Sequence, residues 1–364
     1  AAVAYPIEGS MRGYPPANTG GAPIRLYPKG KVPHEPFQEG DVPSDMKRLE
    51  VFANNPDNKV ANKCCPGDKS KFYENVTVPT MTPFYLDPGA KLRTDIAVVV
   101  LPGGGYDFLG WEKEGTDIAE WLNGFGISAF VLKHRVPGYD FMDAAGARTD
   151  AQRAVRMLRH RAPRLGFNSS RIGLVGFSSG AKLVMSLSFS AGPGAYPRVD
   201  AADDEAFVPD FALMIYPGYF FRQAPRSVGS GRMPPPIFLV GAVDDPILDT
   251  GPALDLNLFT NLVPKKTEIV GELMSGSVPT LELHLFPRGG HGFGRCTLLA
   301  GAGEWQPACM WPQLAQVFIE KEILHVAPKA QRQMERYQTA LGRTFDQGDP
   351  YSLPHSQPNV SGQV

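Results

Sequence analysis

The sequence predicts an α/β fold, built on a mostly parallel, doubly wound sheet with helices on both faces. Three observations lead there. Continuous apolar runs such as Ile96–Leu101 recur along the chain, as expected of strands buried on both sides. Amphipathic stretches at helical spacing alternate with them. The residues with the most chemical potential directly follow apolar runs, at the carboxyl ends of strands where such sheets carry their function.

Each element has its own justification. Residues 1–70 are rich in Pro, Gly and Asn without sustained periodicity, and read as an extended N-terminal arm packed on a core. From Phe72 to Leu86, β-branched and aromatic residues suggest one or two early strands. Ile96–Leu101 is the first buried strand. Lys113–Gly124 has helical spacing, with Ile118, Ala119 and Leu122 on one side, and Gly124 and Gly126 end it. Ile127–Leu132 is the next strand and Asp150–Leu165 the next amphipathic helix, carrying Ala154, Val155 and Leu158.

Arg171–Val175 then reads as a strand and Ser179–Phe189 as a helix. Phe211–Tyr216, Ile237–Val240 and Leu281–Phe286 are three further strands, with a helix expected around Pro252–Leu262. Trp311–Leu324 is a closing helix and Arg332–Leu341 another. Residues 71–342 thus form one α/β domain and 343–364 a polar C-terminal tail. There are no internal repeats.

Composition narrows the function classes. With 364 residues the chain is long enough for a sizeable core, and 43% hydrophobic with 20% charged residues is the balance of a globular protein. A formal net charge of -1 gives no electrostatic reason to expect nucleic acid or an anionic membrane as partner. No apolar run reaches the roughly 18 residues of a membrane span.

The chain begins at Ala1 rather than Met, and sequons occur at Asn75, Asn168 and Asn359, which together predict a processed, secreted chain. Of the four cysteines, Cys296 and Cys309 flank one loop that a disulfide would close. Adjacent Cys64 and Cys65 would be strained if bonded to each other, leaving them free or paired elsewhere. The spacing matches no zinc pattern, and neither metal nor cofactor is expected.

The chemistry centres on Gly176-Phe177-Ser178-Ser179-Gly180, between a strand and a helix. Gly-x-Ser-x-Gly in that context is a nucleophile elbow, whose crowding restricts the serine's neighbours to glycine. Such serines need help, because a hydroxyl is a poor nucleophile at neutral pH. An imidazole must take its proton, and a carboxylate must fix the imidazole tautomer and stabilise its cation.

After Ile237–Val240 comes Gly241-Ala242-Val243-Asp244-Asp245-Pro246, and after Leu281–Phe286 comes Pro287-Arg288-Gly289-Gly290-His291-Gly292. Asp244, nearest the strand end, is the expected acid, with Asp245 as its supporting or turn residue. His291 is the expected base. His284 lies within a strand, and the other histidines follow no candidate strand end.

Gly103-Gly104-Gly105 leaves an earlier strand, and its backbone can approach a ligand without interference from Cβ. Gly104, Gly105 and the N–H of Ser179, at the positive end of a helix, are the expected oxyanion donors. Tyr106, Phe108 and Trp111 follow that loop, where they either line the site or pack the next helix.

VVVLPGGGYDFLGWEKEGTDIAEWLNGFGISAFVLKHRV, DAQRAVRMLRHRA, RIGLVGFSSGAKL, VGAVDDPI and FPRGGHGFG, taken together over residues 72–325, resemble carbohydrate-active α/β-hydrolases. The subgroup is that of acetylxylan-esterase-like and bifunctional feruloyl/acetylxylan esterases. The resemblance implies the α/β-hydrolase fold and a metal-free Ser-His-Asp serine esterase, acting on acyl groups carried by sugars or related alcohols. It assigns Ser178 as nucleophile, Asp244 as acid and His291 as base, with Gly104, Gly105 and Ser179 as oxyanion donors. Where the family usually carries Ala-Gly-Gly-His or similar after the nucleophile, this chain has Ser179-Gly180-Ala181-Lys182.

Removal of short acyl groups, acetyl foremost, is therefore expected, with activity rising across the range from about pH 5 to 8 in which histidine titrates. Two other readings share the fold. A serine peptidase of the prolyl-oligopeptidase type has the same triad order, but its β-propeller does not fit in the N-terminal arm. A non-catalytic ligand-binding module would normally lack a triad member, and none is missing.

Overall fold

A computed structural model describes residues 20–33, 50–54, 70–87, 90, 92–136, 144–190, 194–217, 234–247, 280–296 and 306–325. The elements below belong to one unit that ends at Ile323; a second begins at Leu324. The strands are β1 (Ile24–Arg25), β2 (Val51–Asn54), β3 (Lys71–Glu74), β4 (Thr80–Phe84), β5 (Ala97–Leu101), β6 (Phe108–Leu109), β7 (Ser128–Lys133), β8 (Ile172–Phe177), β9 (Phe211–Ile215), β10 (Ile237–Ala242) and β11 (Leu281–Phe286). The α-helices are α1 (Asp117–Gly124), α2 (Ala145–Leu165), α3 (Ser179–Ser188) and α4 (Trp311–Phe318).

Eight strands form the main sheet in the order β1-β4-β7-β5-β8-β9-β10-β11. From β7 to β11 every neighbour is parallel, and only β4 runs against the rest, since β1 is antiparallel to β4 and so points the same way as β7. A smaller antiparallel sheet, β2-β3-β6, is built partly from the segment that follows β5. Two pieces of the Pro- and Gly-rich N-terminal region, β1 and β2, add strands to these sheets.

The apolar runs become central strands because both faces are covered. In β5, Ala97, Val99 and Leu101 join Ala151, Ala154, Val155 and Leu158 of α2 and Ala181 and Val184 of α3 in one core. Val98 and Val100, on the alternate face, are equally buried. On that side Trp121 of α1 and Trp311 of α4 meet edge to face, 5.2 Å between ring centres, and Trp311 also reaches Phe177. The result is the α/β-hydrolase fold, a mostly parallel sheet with helices on both faces.

Several boundaries differ from the sequence expectation. α2 starts at Ala145 rather than Asp150, because the Asp150 carboxylate is buried against the guanidinium of Arg135 instead of starting the helix. The helix expected from Lys113 opens as a π-helical turn, Glu112–Thr116: the N–H groups of Thr116 and Asp117 donate to the carbonyls of Trp111 and Glu112. The closing helix ends in a second such turn, Ile319–Ile323.

Cys296 and Cys309 are bonded to each other. Asn168 is held in a local turn, its Oδ1 accepting the Ser170 N–H at 2.9 Å. Cys64, Cys65, Asn359 and the helices expected at 252–262 and 332–341 lie outside the described residues. Among the described residues, no helix is long and apolar enough to cross a membrane, and no group of three His, Cys, Asp or Glu could hold a metal ion.

Candidate active site

β8 runs directly into α3, and Ser178 is the single residue between them. Its φ of 49° and ψ of -116° are unusual for a non-glycine residue, as a sharp strand-to-helix turn requires. The flanking glycines follow from packing. A Cβ at Gly176 would stand 2.5 Å from the Gly180 carbonyl oxygen, and one at Gly180 would stand 2.1 Å from that of Leu101. α3 therefore rests against the end of β5, which puts Ser178 beside the loop that leaves β5.

His291 follows β11 on a loop that reaches across two strands to Ser178. Its Nε2 lies 2.9 Å from Ser178 Oγ and its Nδ1 2.7 Å from Asp245 Oδ2. The tautomer with the proton on Nδ1 satisfies both contacts: Nδ1–H donates to the carboxylate, and Nε2 is left to accept from the serine hydroxyl. The side chains of His291 and Asp245 are almost wholly shielded from solvent, at 3% and 0% exposure, so their attraction is little screened. Asp245 Oδ1 also accepts the Ile247 N–H at 2.8 Å, which fixes the carboxylate plane.

The expectation of Asp244 as partner of His291 is corrected by this geometry. Asp244 is exposed, and its Oδ1 accepts the N–H of Gly290 at 2.7 Å. The reason lies in the length of β10. The sequence reading ended that strand at Val240, but pairing with β11 continues to Ala242 opposite Phe286, and the Val243 N–H still donates to Phe286. The turn starts later, and the inward position falls to Asp245.

Gly103, Gly104 and Gly105 form the loop after β5. A Cβ at Gly103 would lie 2.8 Å from Ser178 Cβ, so the loop passes directly beside the serine. Gly104 and Gly105 have φ of 134° and 66°, and a Cβ at Gly104 would strike the Phe108 carbonyl. The Gly103 N–H is not available to a ligand, since it donates to Glu114 Oε2 at 2.8 Å. No hydrogen bond among the described residues occupies the N–H groups of Gly104 and Gly105, nor that of Ser179 at the first position of α3.

The aromatic residues after this loop pack rather than present open rings. Tyr106 is buried and its hydroxyl donates to the Ser179 carbonyl at 3.0 Å; burial pushes its pKa up. Phe108 packs on Phe72, and Trp111 on Tyr73. His284 contacts Glu282 on its own strand, away from Ser178. Lys182, one turn along α3, is half-buried, and desolvation lowers the pKa of its ammonium group.

Two further groups at the site were not singled out from the sequence. Glu114 is buried on the π-helical turn, and Tyr216 at the end of β9 places its ring 5.1 Å from that of His291. The Tyr216 hydroxyl donates to Glu114 Oε1 at 2.8 Å. Tyr216 closes an apolar run, so its strand-end position was a usable signal; nothing in the composition of Lys113–Gly124 distinguished Glu114.

No protein-family model matches the chain. The chain is 27% identical over 234 residues to an acetylxylan esterase of Xylanibacter ruminicola; the match takes in 57% of this chain and 45% of that protein. The chain thus spans about half the length of the curated relative it matches. Among solved structures it is similar to an acetyl ester-xyloside bifunctional hydrolase from Caldicellulosiruptor lactoaceticus, with a TM-score of 0.52 and 24% identity over 83% of this chain and 96% of that one. It is also similar to a thermophilic esterase from Thermogutta terrifontis with propionate bound, with a TM-score of 0.51 and 21% identity over 72% of this chain and 97% of that one.

Proposed function

We propose that the chain is a serine carboxylic-ester hydrolase that removes short acyl groups, acetyl foremost, from a carbohydrate or related alcohol. The observation that carries this reading is the continuous contact Ser178 Oγ–His291 Nε2–His291 Nδ1–Asp245 Oδ2, at 2.9 and 2.7 Å, on a strained strand-to-helix turn. The similarity to an acetylxylan esterase favours acetylated sugars as the substrate class.

In this reaction His291 Nε2 takes the Ser178 proton as Oγ attacks the ester carbonyl. The tetrahedral oxyanion accepts hydrogen bonds from Ser179 and from Gly104 or Gly105, aided by the positive end of α3. His291 then returns the proton to the departing alcohol, leaving Ser178 acylated. Water deprotonated by His291 attacks the acyl-enzyme and releases the acid. Asp245 holds the imidazole tautomer throughout and stabilises the imidazolium. The Cys296–Cys309 disulfide favours an oxidising compartment, consistent with a secreted enzyme.

The test is hydrolysis of a nitrophenyl ester series, acetate through octanoate, by the wild type and Ser178→Ala. Preference for acetate together with a dead variant supports the short-chain reading. Equal activity, or none, in both proteins removes Ser178 as nucleophile. Cleavage of aminoacyl amides in preference to esters would turn the reading towards a peptidase.

A further inference from the structure

Glu114 takes no part in the proposed chemistry, yet its carboxylate joins the two loops on which that chemistry depends. Oε2 accepts the N–H of Gly103, the residue immediately before the Gly104–Gly105 donors. Oε1 accepts the hydroxyl proton of Tyr216, whose oxygen in turn accepts the N–H of Gly294 at 3.0 Å. Gly294 belongs to the loop that carries His291. The Tyr216 ring also packs against both His291 and Phe293, the latter at 4.4 Å.

The direction of these bonds is fixed by chemistry. A backbone N–H can only donate, and tyrosine has one proton. With Gly294 donating to its oxygen, Tyr216 must give that proton to Glu114, whose two oxygens each then hold one donor from a different loop. A fully satisfied buried network of this kind rigidifies what it touches, and a half-satisfied one is costly.

The surrounding backbone is shaped to bring these groups together. Tyr216 sits at a φ of 37°, outside the usual region for its residue type. Glu114 lies on the π-helical turn. A Cβ at Gly103 would come within 2.9 Å of Glu114 Oε2, and one at Gly294 within 2.6 Å of Lys113 Cγ. Both loops thus approach the same turn at a distance that only glycine permits.

We propose that Glu114, acting through Tyr216, is a positioning residue that locks the oxyanion loop to the histidine loop. Given the esterase reading above, it sets the distance between the oxyanion donors and His291. The network touches neither the nucleophile's proton nor the departing group. Its loss therefore acts on the alignment of the transition state and leaves ground-state binding of a small ester in place.

The test uses the full chain with Glu114→Gln, Tyr216→Phe and the double variant. Two readouts are taken: steady-state hydrolysis of nitrophenyl acetate, and amide hydrogen exchange without substrate. Each single variant is expected to lose between about tenfold and 10²-fold in kcat with KM within about twofold, the scale of a small misplacement of reacting groups. The double variant should lose no more than the worse single one, because the two side chains act as one unit. The amides of Gly103 and Gly294, far apart in sequence, should lose protection together in each variant. Unchanged kcat, additive losses, or faster exchange in only one of the two loops would overturn the proposal. If the wild type cleaves no ester, the esterase reading falls and the exchange data alone decide whether Glu114 couples the loops.

Discussion

Asp244 accepts the N–H of Gly290 at 2.7 Å, one residue ahead of the imidazole that Asp245 holds at 2.7 Å. Two adjacent carboxylates thus grip one loop, the first by its backbone and the second by its histidine side chain. Only the second can fix the tautomer of His291. Asp245→Asn is expected to lower kcat by about 10⁴, as when a triad carboxylate loses its charge. Asp244→Asn keeps an oxygen for the Gly290 N–H and should cost less than about tenfold, since a bond to a neutral acceptor still holds the loop. Steady-state kinetics of the two variants distinguish them, and equal losses would refute the assignment of Asp245.

Ser179 offers a contrast between backbone and side chain. Its N–H is one of the proposed oxyanion donors, whereas its Oγ is buried with no hydrogen-bond partner among the described residues. An unsatisfied buried hydroxyl is destabilising, and alanine would remove it without touching the N–H. Ser179→Ala should therefore leave kcat/KM within about twofold and raise stability by up to about 1 kcal/mol. Thermal unfolding and ester hydrolysis of the variant check both halves. A large loss of activity would mean that the hydroxyl itself meets the substrate.

The legibility of this site in the sequence divides along physical lines. Ser178 and His291 were readable because strand-to-helix turns and glycine-rich loops impose local requirements that residue types betray. The sheet was readable because central parallel strands must be apolar on both faces, as Val98 and Val99 both are. Asp245 was misplaced by one residue because a strand's end is set by its neighbour: β10 runs on for as long as β11 pairs with it. Glu114 was not readable at all, and Tyr216 only as the residue that closes an apolar run. Their partners lie 102 positions apart in the chain, and no local pattern encodes a contact of that kind.

Arg153 tests what holds α2 against the rest of the unit. Its buried guanidinium donates from Nη1 to Asp200 and Asp203, both at 2.8 Å, and from Nε to the Leu26 carbonyl at 2.9 Å. The Asp203 side chain is only 1% exposed. Arg153→Ala leaves that buried carboxylate with only the more distant Arg156 guanidinium, at 3.9 Å, as counter-charge, and should cost up to about 3 kcal/mol, the low end for breaking a buried pair. The same guanidinium, by hydrogen bonding, lowers the pKa of Asp200 to about 2. A depressed carboxylate contributes stability above its unfolded pKa, and that stability is lost as pH falls through the folded value. Wild-type denaturation curves should therefore lose stability from about pH 4 down to about 2, and Arg153→Ala should lose less over the same interval. Parallel acid profiles for the two proteins would argue that the pair contributes nothing.

His134 should act in a higher window. It is completely buried beneath the Gly103–Gly105 loop, with Nε2 facing the Pro102 carbonyl at 3.4 Å and Nδ1 facing that of Arg135 at 3.2 Å. Desolvation by burial lowers its pKa, so the folded protein keeps it neutral where the unfolded chain would already bind a proton. The unfolded state then binds more protons below the ordinary histidine value, and stability falls as pH drops from about 6.5 towards the depressed folded pKa. One proton of difference gives a slope of at most about 1.4 kcal/mol per pH unit. Replacing His134 with phenylalanine removes the titrating group, at some cost in polar contacts that does not vary with pH. Urea denaturation from pH 7.5 to 5 should show the wild type losing stability more steeply than His134→Phe. Because Pro102 leads into Gly103–Gly105, ester hydrolysis by the variant at pH 7.5 would also report whether this ring supports the proposed oxyanion loop. Identical slopes in the two proteins would mean that His134 titrates alike in the folded and unfolded states.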